Sequence, residues 1–204
     1  ITADGADSEL RVAGVTSLAA TSVSVQGGSL VTFDSASLLS NVGLYADGGG
    51  QILFPVATSY TGNNYADTTI VASGAGSRID LSHLLTFDGG GGYVDSHGYG
   101  HAYATYVNAL AGGKVDLSGV LNANGGYGNI ITADGAGSAL GVAAITSISA
   151  TSLSAANGAV WIFPAGWHPT WGSGNTLSAS GPGNQFVNRG VLTVRGTSLP
   201  INTS

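Results

Sequence analysis

The chain has 204 residues, a formal net charge of −6 and only 8% charged residues, where a soluble domain usually carries about 25%. With 43% apolar residues and 34 glycines it is not a disordered polyelectrolyte, and its five scattered Lys and Arg leave no electrostatic footprint for nucleic acid. No apolar run reaches the roughly 18 residues of a membrane-spanning helix, and the lack of cysteine removes disulfides from the argument.

The first element, Ile1–Ser22, reads ITADGADSELRVAGVTSLAATS, and it returns at Ile131–Ser152 as ITADGAGSALGVAAITSISATS, with 15 of 22 positions identical. Within it, Leu10 and Val12 alternate with Arg11 and Ala13. A period of two with β-branched residues predicts a strand with one buried face. The same grammar recurs down the chain as a β-like run, a glycine-rich turn, then apolar–x–apolar–x–x–apolar. It parses into eight units, beginning near Ile1, Val23, Val42, Thr69, Tyr106, Ile130, Leu153 and Thr176. The third and fourth are longer, with insertions near 58–67 (TSYTGNNYAD) and 88–105 (DGGGGYVDSHGYGHAYAT).

A unit of about 20 residues cannot bury its own apolar face, whereas stacked units pair each strand with its equivalent one turn on. The prediction is a right-handed parallel β-helix of about eight turns with two loop insertions, a single solenoid segment over 1–204. Three inward columns are expected. One holds Leu10, Ile52, Ile79, Val115, Leu140, Val160 and Phe186. The next holds Val12, Phe54, Leu81, Leu117, Val142 and Ile162. The third holds Val15, Leu84, Val120, Ile145 and Val191. Asp4, Asp47 and Asp134, each before a glycine, are expected to cap the corners by Asx-type hydrogen bonds. The chain holds no methionine and opens on a strand-like residue without a basic leader, which points to a segment of a longer array.

The motifs GAGSRIDLSHLLTF, AGGKVDLSGV and ITADGAGSAL resemble the tandem GS-x-(L/I)-D-L-S and GG-x-V-D-L-S units of very large bacterial secreted or surface proteins. Those arrays are similar to the β-helical stalks of adhesin and autotransporter passengers. The resemblance implies an extracellular or cell-surface location and a structural, adhesive role. It implies no catalytic set and no cofactor. Its partners would be a polysaccharide or cell-surface glycan, and neighbouring repeats or other copies stacked end to end.

Function in a solenoid rides on what interrupts the repeat. The 88–105 insertion holds Asp88, Asp95, His97 and His101 with Tyr93, Tyr99 and Tyr103, and His83 lies just before it. As a metal site, His97 and His101 with Asp88 or Asp95 would supply zinc or copper ligands. As a polysaccharide lyase, His83, His97 or His101 would act with Tyr99 or Tyr103 as base and acid, while Lys114 or Arg78 neutralises a uronate carboxylate. Asp80 and Asp116, both in the shared D-L-S grammar, would stack on adjacent turns as a candidate acid pair. As a binding surface, Trp161, Trp167 and Trp171, with Tyr60 and Tyr65, would offer flat faces to sugar rings; Trp161 is expected to point outward between Val160 and Ile162. A minor alternative is an ice-binding solenoid, from the Thr16–Ser17, Thr21–Ser22, Thr146–Ser147 and Thr151–Ser152 pairs.

Overall fold

The computed structural model describes residues 1–163, 169–171, 174–180, 185–188 and 201–203. They form an all-β parallel solenoid of about seven turns. The eighth predicted turn, from Thr176 on, falls largely outside those residues.

Each full coil contributes a long strand bent at one corner and a short strand on a second sheet. The long strands (Ser17–Val25, Leu38–Asp47, Asn122–Asp134 and Ser147–Ala156 among them) join the larger, twelve-stranded sheet. The short strands, Glu9–Val12, Leu30–Phe33, Gln51–Leu53, Arg78–Asp80, Lys114–Asp116 and Ala139–Gly141, pair in that order in a six-stranded sheet. Apart from one hairpin, every pairing is parallel and joins equivalent positions one coil apart.

Register fixes the columns. On the short sheet Leu10, Val31, Ile52, Ile79, Val115 and Leu140 follow one another. Val31, from the unit that begins near Val23, belongs there although the column read from the sequence omits it. On the larger sheet Val23, Leu44, Ile70, Val107, Ile131 and Leu153 form one column, with Val25, Ala46, Ala72, Ala109, Ala133 and Ala155 beside it; all are buried. Aromatic rings stack at coil spacing: Phe33 on Phe54 at 4.8 Å and Tyr60 on Phe87 at 4.9 Å, matching the separation of hydrogen-bonded strands.

Two expectations about side-chain direction are corrected. Trp161 points inward and is fully buried, and its backbone pairs with Phe186. The alternation is therefore shifted by one: Trp161, not Val160, is the register partner of Phe186. The inward residue comes three positions after the last left-handed glycine of the turn: Val31 after Gly28, Ile79 after Gly76, Leu140 after Gly137 and Trp161 after Gly158. Tyr60 is also fully buried rather than part of a platform. In Ser59–Thr61 the flanking polar residues face out, and the Tyr60 hydroxyl donates to the Val42 carbonyl at 3.1 Å. Burial raises its pKa.

The glycine corners are held by serines, not by the predicted aspartates. Ser77 Oγ donates to the Ser73 carbonyl (2.6 Å) and accepts the Gly49 N–H of the preceding coil (3.0 Å). Ser138 does the same with Asp134 and Gly112. A hydroxyl satisfies a corner donor and acceptor together, which a carboxylate, an acceptor only, cannot do. The Asp134 carboxylate instead accepts from Asn157 Nδ2 at 2.7 Å.

The repeated sentence occupies two environments. Ile131 and Leu140 are 1% and 5% exposed, while their counterparts Ile1 and Leu10 in the first coil are 46% and 40% exposed.

Candidate glycan-binding corner

The long strand bends at the same corner in every coil. In three coils a single left-handed residue makes the bend: Ala20, Asn41 or Ala150. In the coils between, the bend is replaced by additions: residues 62–67 between Thr61 and Thr68, residues 89–104 between Asp88 and Thr105, and a register shift between Asn124 and Asn129. The two insertions read from the sequence and a third, unrecognised one thus stack on one edge of the solenoid.

The central insertion is an antiparallel hairpin of Gly91–Val94 with Gly100–Tyr103. Its glycines let it wedge between its neighbours. A Cβ on Gly89 would collide with Asn129 and Thr105, on Gly90 with the backbone of Gly125 and Gly128, and on Gly91 with Asn63 and Asn64. At Gly92 a Cβ would run into the Tyr127 ring. The Gly-rich run is therefore a packing device.

On the face that Gly91 shares, toward the preceding insertion, the aromatic rings gather, whereas Tyr127 packs against Gly92 on the opposite face. Tyr93 stacks on His101 (4.7 Å, 12° between planes), lies 6.5 Å and 15° from Tyr103, and meets Tyr65 of the preceding insertion at 5.1 Å and 43°. Tyr65 and Tyr127 are 70% and 61% exposed. His101 Nε2 lies 3.1 Å from Asp95 Oδ2, and Asp95 Oδ1 accepts the N–H groups of His97 and Tyr99. The bond from His101, backed by the Tyr99 amide, lowers the Asp95 pKa. Burial, then neighbouring Tyr93, raises that of Tyr103.

Beside this stack, where the coils lack an insertion, runs a groove of about 480 Å³. Thr21, Ser22, Asn41, Tyr45, Asp67 and Thr69 line it. The Tyr45 ring lies over Gly43, where a Cβ would approach it at 3.0 Å. Asp67 links groove and hairpin, because its Oδ1 accepts the Ala104 N–H at 2.8 Å.

The other candidate residues are dispersed. His83 is exposed on the turn that precedes strand Thr86–Asp88, whereas the hairpin follows that strand. Tyr99 stands exposed at the hairpin tip. Lys114 lies on the short sheet, paired with Arg78. His97 Nδ1 is near its neighbour Ser96 Oγ at 3.5 Å, and Asp88 pairs along the backbone with Thr61 and Asn124. Among the described residues no three His, Cys, Asp or Glu side chains come together as a metal set. Trp167 lies outside the described residues, as does the side chain of Trp171, whose backbone pairs with Ile148.

The D-L-S grammar has a structural explanation. Asp80 and Asp116 are in register on adjacent coils, and each accepts the N–H of the serine two residues on, Ser82 and Ser118, at 3.0 Å. Arg78 sits 2.8 Å from Asp80 and 3.6 Å from Asp116. The pair is an Asx-turn ladder neutralised by one guanidinium. The hydroxyl ladder is interrupted: between Ser17 and Ser147 its register position holds Leu38, Ser59, Thr86 and Asn122.

No family model matches the chain, and neither a curated protein nor a solved structure matches it.

Proposed function

We propose that the chain is a rigid structural module of an extracellular bacterial surface protein that adheres to glycans through its tyrosine corner. The observation that carries this reading is the cluster of Tyr65, Tyr93 and Tyr103 from two successive coils beside a hydroxyl-lined groove, with Tyr127 of the next coil behind the hairpin. Exposed clusters of large apolar faces mark interaction sites, and a groove of this size falls in the range of small-ligand sites. Aromatic faces with nearby hydroxyl, amide and carboxylate groups suit a pyranose, whose C–H face is apolar and whose rim is polar.

The solenoid supplies rigidity, since its core columns fix the spacing of the rings. The resemblance of the repeats to surface-protein arrays supports the location. Stacking of a further β coil on the first coil belongs to the same proposal, supported by the exposed Ile1 and Leu10. Screening the full chain against immobilised neutral, amine-bearing and acidic polysaccharides tests the reading. Saturable binding to at least one class, weakened at least tenfold in a Tyr65→Ala/Tyr93→Ala variant of unchanged thermal stability, supports it. Binding to none, or equal binding by the variant, overturns it. Release of unsaturated sugars from a uronate polymer would replace it with the lyase.

A further inference from the structure

Resting on that reading, we infer that the corner takes glycans free of acidic groups, binds amino sugars tightest and rejects uronates. The argument is the distribution of charge over the coil. The three additions at the corner, 58–67, 88–105 and 122–129, contain no Lys or Arg but do contain Asp67, Asp88 and Asp95. In the groove Asp67 is the one charged lining residue.

The described cations, Arg11, Arg78 and Lys114, all lie on the six-stranded sheet. Two are already committed: Arg11 to Asp34 at 2.6 Å, and Arg78 to Asp80 and Asp116. Among the described residues no Lys or Arg side chain therefore stands beside the tyrosines to meet a uronate carboxylate. A carboxylate placed there would face Asp67, a like charge that costs energy on approach.

An ammonium is favoured twice at this position. The tyrosine faces carry the negative end of the ring quadrupole and attract cations, by about 0.5–1 kcal/mol at exposed sites, which is about a two- to fivefold gain in affinity. Asp67 is held in place by the Ala104 N–H through Oδ1 and lines the groove, where its charge attracts an ammonium. The lyase chemistry read from the sequence needs the opposite arrangement, a cation against the sugar carboxylate. Arg78 and Lys114, named for that role, lie on the other sheet.

The test uses the full chain and one β-linked hexose oligomer of fixed length in three forms: N-acetylated, de-N-acetylated and carboxylated. Calorimetry at low and at high salt reads the affinities. The expected order is amine, then N-acetyl, then carboxylate. The amine form should bind about three- to fivefold tighter than the N-acetyl form at low salt, and the gap should close as salt screens it. Asp67→Asn keeps an acceptor for the Ala104 N–H, so the fold is retained; it should reduce the ratio of amine to N-acetyl affinity, leaving only the part supplied by the tyrosine faces. Tightest binding of the carboxylated form, or an amine preference that Asp67→Asn leaves undiminished, overturns this inference alone. Failure of all three forms to bind removes the glycan reading and the inference with it.

Discussion

Tyr93 and His101 face each other across the two strands of the hairpin, with ring centroids 4.7 Å apart and planes 12° from parallel. On the same ring, His101 Nε2 is held 3.1 Å from Asp95 Oδ2. The hairpin's aromatic face is thus tied to its own turn by one carboxylate.

That tie gives a pH dependence of known sign. The Asp95 pKa is lowered in the folded hairpin, so its contribution is fully present above the unfolded-state value, about 3.9 for aspartate, and is lost as pH falls through the lower, folded value. Amide protection at His97 and Tyr99, taken relative to the intrinsic exchange rate at each pH, should be retained at neutral pH and lost only below that ordinary value. Asp95→Ala, which removes the acceptor, should lack that protection at every pH. Loss of protection on lowering the pH from 7 to 5 in the parent chain would contradict the assignment.

The hairpin glycines are expected to divide sharply. Gly89→Ala would drive a methyl into Asn129 and Thr105, and overpacking of this kind costs about 1–3 kcal/mol. Gly100 has nothing within 4 Å of its missing Cβ, so Gly100→Ala should stay within about 0.5 kcal/mol. Chemical unfolding of the two variants in parallel checks this, and equal effects would mean that the hairpin is not wedged.

Tryptophan and tyrosine positions divide the same way. Trp161→Ala removes a fully buried indole and should cost about 3–5 kcal/mol. Tyr65→Ala should change stability by no more than about 0.5 kcal/mol while weakening glycan binding. If Trp161→Ala were the substitution that abolished binding without destabilising the fold, the corner would not be the site.

Arg78→Ala leaves Asp80 and Asp116 facing each other on adjacent coils. Both carboxylates and the guanidinium are partly exposed, Arg78 by 44%, so the expected loss is below about 1 kcal/mol at neutral pH. Adding Asp116→Asn should recover most of it, because the repulsion is then gone. Urea unfolding of the single and double variants reads the coupling.

The solenoid was legible because its signal is repetition: a period-two run after a glycine corner, restated every coil, names Ile52, Ile79, Val115 and Leu140 as one column. Trp161 was misread because hydrophobicity alone cannot choose the inward residue in Val160–Phe163, where every residue is apolar; counting from Gly158 does. Tyr60 was misread as loop because Ser59–Thr61 carries only one apolar residue, and only its pairing with Leu39 and Phe87 declares it a strand. Asp4, Asp47 and Asp134 drew attention as caps because Asp-Gly is a common turn signal. The serines that bridge coils act across 26 to 28 residues, a separation local grammar does not reveal. The site itself was half legible. His101, Tyr93, Tyr103 and Tyr65 stood out as residues the repeat does not explain. That their insertions share one corner with Tyr127 follows from register, which the one-dimensional pattern leaves open.

The most direct test is an NMR titration of the full chain, labelled on its tyrosine rings, with the tightest-binding oligosaccharide. The account predicts shifts at Tyr65, Tyr93 and Tyr103, smaller ones at Tyr45 and Tyr127, and none at buried Tyr60, which serves as the internal control. Binding that leaves these rings unmoved, and instead perturbs the short sheet around Arg78 and Lys114, would contradict it.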